Sequence, residues 1–420
     1  MDRRGQSPAR QRRRMRQGGP PVILAGLLLF VAACSGSTGS SEQPSPDPTP
    51  TPQAKVTVRP DDGKGSVRPD EKIVVDVQRG SVKKVSVQGT HTTSADGAEE
   101  STKVTVSGKT VAGGTKWKST EPLVPDTTYK VRATAVDANG LTTKVQTSFS
   151  TIEPEGVLHA AIAPLDGETV GVGMPIILFL SEPVADKYKD NVERRLELTM
   201  SEPVEGAWHW MDDETLHFRP REFWPAGEQV KLETHFTGVY AGDGVWGDQS
   251  RTIEFNVGER HVSVIDADAH TMTVKSGGEV VKTFPISAGS SERPSSSGTL
   301  VAKAKIGDMV MNPPNIPKSS PEYYETPTKW NVRITDSGQF VHGAPWSVEA
   351  QGKRNVSHGC INMSLDNAKW FYHFTQRGDI IKVTGTSRDV QWRNGWTDWT
   401  MSWSEWVEGS ALNRSINSSA

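Results

Sequence analysis

The feature that most constrains the fold of this 420-residue chain is an alternation of apolar and polar residues between positions 56 and 151. In "YKVRATAVDANG", Tyr129–Gly140, small apolar residues alternate with Lys130, Arg132 and Thr134. A period of two places the two sets on opposite faces of a β-strand. Turn residues interrupt the pattern about every 8–12 residues, which predicts an all-β sandwich.

A second segment repeats this plan. "MPIILFLSEPV" (Met174–Val184) and "RTIEFNV" (Arg251–Val257) are predicted to be further short strands. In the first segment, "PDTTYKV" resembles the tyrosine-bearing corner of immunoglobulin-like domains. We therefore predict two immunoglobulin-like spacers, a first module (54–152) and a second module (153–258). The acidic loop 241–248 is a weak candidate for a cation, because such turns are usually solvated.

A third block, residues 259–385, contains further strands and a long Pro/Ser-rich excursion, "MNPPNIPKSSPEYYETPTK". Loops of this length in compact domains usually have a function, often as a lid. Apolar spacing after Ser364, a good N-cap residue, predicts a helix over residues 364–377. The fold class is therefore mainly β, with two sandwich modules and a β-rich third domain carrying one or two packed helices.

The tail, residues 386–420, is rich in tryptophan. Five indoles at spacings of four and three would share one face of a helix, although Gly395 weakens that prediction. A cap that packs onto the third domain is favoured over a sugar-stacking or membrane-edge surface. The indoles belong to Trp392, Trp396, Trp399, Trp403 and Trp406.

The N-terminus reads as an export signal. An arginine-rich start precedes "PVILAGLLLFVAAC", an apolar run too short to span a bilayer. Its end, Val31–Cys34, resembles a bacterial lipobox, and an ordinary signal peptide with a chance cysteine is the alternative. We predict a signal at 1–33, a lipidated Cys34 and a disordered tether over 34–53. The protein would then be anchored to the outer face of the cytoplasmic membrane, facing the cell wall.

The charge pattern excludes one class of partner. The formal net charge is −3, and seven arginines lie in the predicted signal, so the exported part is more acidic still. No Lys/Arg-rich stripe remains outside the signal. Nucleic acid is therefore not an expected partner.

The stretch "NVSHGCIN" contains Cys360, which has no disulfide partner if Cys34 carries lipid. A thiol needs a base to act as a nucleophile, and His342 and His358 are candidates, of which His342 is favoured. Gly359 allows a tight turn whose amides, with that of Cys360, could face a developing oxyanion. An inert buried thiol is one alternative. A zinc site with His373 is another, but the spacing fits no compact zinc pattern, so no metal or cofactor is expected.

The segment "VHGAPWSVEAQGKRNVSHGCINMS", Val341–Ser364, resembles the signature of bacterial L,D-transpeptidases. The lipobox, paired modules and Trp-rich tail are similar to the actinobacterial multidomain form. The resemblance implies that Cys360 is the nucleophile and His342 the base, with Ser357, His358 and Gly359 forming the motif's turn. Gly343 stands where several relatives carry serine, so only a backbone carbonyl could orient the His342 ring from there.

The resemblance also implies a substrate and a reaction. The thiolate would release D-Ala from a peptidoglycan stem tetrapeptide and pass the acyl group to a diamino-acid amine, forming a 3→3 crosslink. Carbapenems would inhibit covalently. An L,D-carboxypeptidase, an enzyme attaching lipoproteins to the wall and a non-catalytic wall-binding lipoprotein remain as alternatives. The residues implied to bind substrate are Tyr324, Ser337, Gly338, Trp346, Asn362 and Met309, with Met311 as the other possible methionine.

Overall fold

The computed structural model describes residues 50–95, 98–313, 316–321 and 323–417. The predicted signal, Cys34 and most of the tether lie outside the described residues. Within them, no helix has the length and apolar character that crossing a membrane requires.

The first module is a sandwich of two four-stranded sheets. Their strand orders are β1-β2-β6-β5 and β4-β3-β7-β8. The strands are β1 Lys55–Arg59, β2 Val74–Gln78, β3 Ser81–Ala95, β4 Ala98–Thr105, β5 Gly108–Val111, β6 Lys116–Ser119, β7 Thr127–Val136 and β8 Thr142–Ser150.

The alternation in β7 has the predicted effect. Tyr129, Val131 and Ala133 are buried, whereas Lys130 and Arg132 are exposed. The Tyr129 hydroxyl accepts a hydrogen bond from the amide of Val124 at 2.8 Å. This bond is typical of the tyrosine corner that "PDTTYKV" resembles. Tyr129 also stacks on Phe149, with ring centroids 5.4 Å apart. The period-two pattern therefore predicts this sandwich correctly.

The second module contains three sheets around a separate core. Two of them face each other, with orders β10-β12-β15-β14 and β11-β19-β16-β13, and the third is β17-β18-β9. Its strands are β9 Gly156–Leu158, β10 Ala160–Ala163, β11 Thr169–Val170, β12 Ile176–Leu180, β13 Leu196–Met200, β14 Glu205–Trp210, β15 Thr215–Pro220, β16 Gln229–Thr234, β17 Tyr240–Gly242, β18 Val245–Gly247 and β19 Arg251–Val257, and its helix is α1 Lys189–Glu193. The loop 241–248 forms the β17–β18 hairpin, and Asp248 lies 3.3 Å from His159.

The third domain has a six-stranded sheet, β22-β21-β20-β28-β23-β29, and a four-stranded sheet, β24-β25-β26-β27. The strands are β20 His261–Asp266, β21 Thr271–Ser276, β22 Glu279–Pro285, β23 Ser296–Val301, β24 Ala304–Met311, β25 Thr326–Arg333, β26 Phe340–Gly343, β27 Ile361–Met363, β28 Ile380–Thr384 and β29 Arg388–Asp389.

One helix, α2 Leu365–Phe374, packs on the four-stranded sheet. Ser364 caps it, because its hydroxyl accepts from the amide of Asn367 at 3.3 Å. The predicted N-terminus is confirmed. The helix ends three residues before Arg377, where Thr375 has extended backbone angles.

The second module and the third domain share a tightly packed junction. The amides of Gly171 and Gly173 donate to the carbonyls of Arg377 and Gly378, at 2.8 and 2.9 Å. A Cβ atom at Gly173 would lie 2.1 Å from Cδ1 of the buried Ile380, so a larger residue would displace that side chain. Ile380 itself belongs to the hydrophobic core of the second module, and the core therefore continues across this boundary.

The tail corrects two predictions. It is not one helix with five aligned indoles: it contains a 3₁₀ turn (Asp398–Thr400), the short helix α3 (Trp403–Glu408) and the strand β30 (Ile416–Asn417). Gly395 has φ +106°, which no helix allows, and Ser402 caps the N-terminus of α3 with a capping box. A single helix therefore cannot run through the tail.

The tail also packs mainly on the second module rather than on the third domain. The Trp406 indole donates to the carbonyl of Ala207 at 2.9 Å and stacks on His209, with centroids 4.5 Å apart. Strand β30 pairs antiparallel with the edge of β14. Trp396, in contrast, lies between cations of the third domain, 5.4 Å from Lys303 and 5.1 Å from Arg377. The tail therefore contacts both domains.

A buried arginine fixes this cap. The guanidinium of Arg219 lies 4.9 Å from the ring centroid of Trp399, 5.3 Å from that of Trp403 and 4.9 Å from that of Trp406. Burial lowers the pKa of Arg219 to about 10. Three aromatic faces thus replace part of the water that this cation loses.

Candidate active site

Two neighbouring parallel strands bring the predicted nucleophile and base together. Strands β26 and β27 pair in register, with His342 opposite Asn362. Cys360 precedes Asn362 by two residues, so the extended geometry turns it toward the same face. His342 and Cys360 line one cavity of about 480 Å³. The residues whose spacing pointed to a catalytic pair thus meet at one site.

His342 is held as a neutral ring. Its Nδ1 donates to the carbonyl oxygen of Gly343 at 3.0 Å, so Nε2 carries the free lone pair. This is the backbone contact expected when glycine replaces serine at position 343. Burial lowers the pKa of His342 to about 4, although the contacts with the Gly343 carbonyl and the Asn362 side chain oppose the shift. The ring is therefore an unprotonated base at neutral pH.

A chain of hydrogen bonds supports the ring from behind. The Asn362 amide donates to Ser347 Oγ at 3.2 Å, and that hydroxyl donates to the carbonyl of Ala344 at 3.0 Å. All of these side chains are buried. The trailing asparagine of the motif therefore acts as a structural support for the base.

Cys360 is a half-buried thiol. Its Sγ donates weakly to the carbonyl of Gly338 at 3.8 Å. Burial raises the pKa of the thiol to about 11, opposed by a contact with the backbone of Phe340. With His342 also neutral, the resting pair is an uncharged thiol and imidazole rather than an ion pair.

The turn before Cys360 depends on glycine and serine. Gly359 has φ +122°, a conformation that residues with a Cβ rarely adopt. Ser357 Oγ accepts from the Gly359 amide at 3.0 Å and donates to the Cys360 carbonyl at 2.6 Å. Ser295 Oγ donates to the Gly359 carbonyl at 2.9 Å. The Gly359 amide, predicted to face an oxyanion, is thus already engaged inside the turn.

Two aromatic residues form the rim of the cavity. Tyr324 comes from the excursion between β24 and β25, and its ring lies 5.2 Å from that of His358. Burial and the neighbouring Cys360 raise the pKa of Tyr324, whereas burial and Arg293 lower the pKa of His358. Trp346 is 56% exposed and lies 6.1 Å from the His342 ring, so it offers a free face to substrate.

Seven of the predicted site residues line this cavity, whereas Gly343, Gly359, Ser337, Gly338 and Met309 do not. Met311 lines it in place of Met309, so the choice of Met309 is wrong. Both methionines lie on the same face of β24, but Met311 pairs with Thr326 at the loop end of the hairpin and shares the cavity lining with Tyr324. The predicted residues that line the cavity are Tyr324, His342, Trp346, Ser357, His358, Cys360 and Asn362.

Ser337 and Gly338 lie in the turn before β26, outside the cavity lining. Asn394 holds this turn, because its side chain accepts from the Ser337 amide at 2.8 Å and donates to Ser337 Oγ at 3.0 Å. Gly338 reaches the site only through its carbonyl oxygen. Gly338 therefore contacts the thiol directly, whereas Ser337 connects the turn to Asn394.

Several residues of the lining are not among those that the sequence predicts. Thr326 and Thr328 on β25 face the cavity, and their period-two spacing in a strand was a usable signal. Glu349 and Arg354 add charges at the mouth. The remaining lining residues are Ser347, Ala350 and Val356.

The zinc alternative has no support in the geometry. His373 lies on α2, where its ring packs 5.2 Å from that of Trp330. Among the residues that the structure describes, no group of three His, Cys, Asp or Glu side chains could hold a metal ion.

Comparison with family models gives two matches. The model described as a bacterial Ig domain matches residues 64–240, which span parts of both modules. The model described as an L,D-transpeptidase catalytic domain matches residues 260–383, which contain the cavity.

Two curated relatives are similar in sequence to this chain over most of their length. The chain is 36% identical to L,D-transpeptidase 2 of Mycobacterium tuberculosis (strain CDC 1551 / Oshkosh), covering 76% of this chain and 80% of the relative. It is 35% identical to L,D-transpeptidase 5 of the H37Rv strain, covering 85% and 77%. Among solved structures, the LD transpeptidase LdtMt1 in complex with imipenem aligns at 34% identity with a TM-score of 0.48, covering 55% of this chain and 100% of that one.

Proposed function

Since the chain belongs to the family of L,D-transpeptidases, which crosslink peptidoglycan, we propose that it does so through an acyl-enzyme on Cys360. The observation that carries this mechanism is the shared cavity of His342 and Cys360. Its volume of about 480 Å³ suits an extended peptide segment rather than a single small ion.

The first half-reaction forms the acyl-enzyme. His342 Nε2 takes the thiol proton as Sγ attacks the carbonyl before the terminal D-Ala of a stem tetrapeptide. The Cys360 amide is the donor that we assign to the developing oxyanion, because the Gly359 amide is engaged with Ser357. His342 then returns the proton to the leaving nitrogen, D-Ala departs, and the stem remains as a thioester.

The second half-reaction decides the product. The side-chain amine of a second stem attacks the thioester, loses a proton to His342, and forms the 3→3 crosslink as Cys360 regains its proton. Water in place of the amine would give a carboxypeptidase, and a protein amine would attach that protein to the wall. The aromatic rim formed by Tyr324 and Trp346, together with the ring of His358, borders the space that an acceptor would enter.

We also propose that the protein works outside the cytoplasmic membrane, anchored through Cys34. The support is the signal-like N-terminus and its lipobox-like end. The Pro-rich tether would hold the first module away from the bilayer. Fatty-acid labelling of the protein in cells tests this proposal: label that is lost in Cys34→Ala supports it, and label that persists contradicts it.

Product analysis tests the mechanism. Incubation with a stem tetrapeptide should release D-Ala and yield a crosslinked dimer, and Cys360→Ala should abolish both. A carbapenem, whose strained lactam carbonyl is a reactive acyl donor, should add one adduct mass at Cys360. Tripeptide without dimer would favour the carboxypeptidase. The absence of both a carbapenem adduct and tetrapeptide turnover would overturn the proposal.

A further inference from the structure

A second cavity, of about 460 Å³, lies where the first and second modules meet. Arg68 and Asp70 come from the first module. Tyr188, Arg194, Arg195 and Tyr240 come from the second. The cavity therefore exists only because the two modules are in contact.

Close packing forms its walls. The Arg68 guanidinium lies over two rings of the second module, 5.0 Å from the Trp246 centroid and 5.7 Å from that of Tyr240. A Cβ atom at Gly238 would lie 2.5 Å from Pro122 of the first module, so the two backbones approach closely. Since aromatic and backbone contacts fix the boundary, the cavity is formed before any ligand arrives.

Its charge is unlike that of the whole chain. Three guanidiniums and one carboxylate line it, although the formal net charge of the chain is −3. Asp70 accepts from Arg68 at 2.9 and 2.8 Å, and Asp190, just outside, accepts from Arg194 at 3.2 Å. The Arg195 side chain has no ion pair or hydrogen bond to any described residue. An unpaired guanidinium thus faces the cavity.

The chemistry of the lining indicates the ligand. A guanidinium forms two parallel hydrogen bonds with a carboxylate, and the tyrosines supply further polar and aromatic surface. The residues that line this cavity include no cysteine or histidine, so binding rather than catalysis is indicated.

We propose that this cavity binds carboxylates of peptidoglycan stem peptides, and so holds the enzyme on the wall apart from the Cys360 site. Only the identity of the ligand rests on the proposed function. A binding site on the spacer modules would raise the local concentration of stems near the catalytic domain, because the two sites belong to one chain.

Co-sedimentation of the full-length protein with insoluble peptidoglycan tests the proposal. A Cys360→Ala background prevents turnover during the measurement. Arg194→Ala combined with Arg195→Ala should weaken binding about tenfold, as expected for a lost charged hydrogen bond. Arg221→Ala is the matched control, because Arg221 pairs with Glu205 at 3.1 Å and has a 56% exposed side chain, against 59% for Arg194. The control should bind like the parent.

Two further measurements make the outcome decisive. Peptidoglycan whose carboxylates have been amidated should bind the parent as weakly as untreated wall binds the double variant. Unchanged binding by the double variant, or by a folded Arg195→Glu variant, would overturn the proposal, and so would full parental binding to amidated wall. Turnover of soluble tetrapeptide by the wild type is followed separately, so a failed crosslinking reaction and a failed binding site give different results.

Discussion

The thiol of Cys360 donates to the carbonyl oxygen of Gly338, with sulfur and oxygen 3.8 Å apart. A carbonyl accepts this hydrogen bond but cannot take the proton. The resting thiol thus stays protonated, in agreement with its raised pKa, and must turn toward His342 before it reacts. Papain-like pairs instead hold a preformed thiolate beside a charged histidine.

The first prediction concerns this protonation state. Because burial raises the pKa of Cys360 to about 11, we expect no thiolate at pH 7 in the free enzyme. The ultraviolet absorbance of the thiolate, compared between wild type and Cys360→Ala, should appear only well above pH 9. A thiolate signal at pH 7 would show instead that the pair is ionic.

The second prediction concerns stability and His342. Its folded pKa is about 4, below the ordinary value of 6.5, so the unfolded chain binds the extra proton first as the pH falls. The free energy of unfolding should therefore decrease from pH 6.5 to pH 4, by about 3 kcal/mol from this group. Denaturant unfolding of His342→Asn should lack this part of the decrease. An identical pH dependence in the variant would contradict the burial argument, and His235→Asn, at an exposed site, is the control.

Local patterns in the sequence predict a good part of this molecule. The alternation in β7 and the N-cap at Ser364 are consequences of side-chain periodicity and hydrogen bonding within a few residues. The motif also predicts that His342 and Cys360 lie close together, because His342 is on β26 and Cys360 directly precedes β27, the strand that pairs with β26.

The remaining features depend on distant contacts. Spacings of three and four among the tail tryptophans suggest a helix, but Trp399 and Trp406 instead donate to carbonyls of the second module, at Gly173 and Ala207. The preference for Met311 over Met309 follows from the register of β24 with β25, which a loop between them sets. The carbonyl partners of the tail tryptophans and the strand pairing of Met311 therefore cannot be predicted from the tail, or from the segment between β24 and β25, alone.

The third prediction concerns the turn at Gly359. A Cβ at φ +122° strains the backbone, and strain of about 1–3 kcal/mol at this position would move the Cys360 carbonyl and the thiol. Gly359→Ala should lower the rate of carbapenem acylation at least tenfold. The control is Gly63→Ala, also at positive φ (+74°), with no neighbouring atom within 4 Å of the added Cβ. Equal acylation rates in the two variants would argue against a role for the turn.

The fourth prediction separates the two methionines. Met311 lines the cavity and Met309 does not, so Met311→Ala should raise the KM for the stem tetrapeptide several-fold, whereas Met309→Ala should leave it close to the wild-type value. Steady-state kinetics of D-Ala release measure both. The opposite order would mean that Met309, rather than Met311, contacts the bound substrate.

The last prediction concerns the tail as a part of the second module. Trp406 is fully buried, stacks on His209 and covers Arg219, so Trp406→Ala leaves a cavity and removes one aromatic face from a buried cation. Loss of a buried tryptophan costs about 3–5 kcal/mol, which should appear as a lower unfolding midpoint in denaturant. Trp392→Ala, at a 37% exposed position in the same tail, should cost much less. Similar losses of unfolding free energy in the two variants would mean that the tail stabilises the protein by burying apolar surface along its whole length. A much larger loss in Trp406→Ala assigns the stabilisation to the contact between Trp406 and the second module.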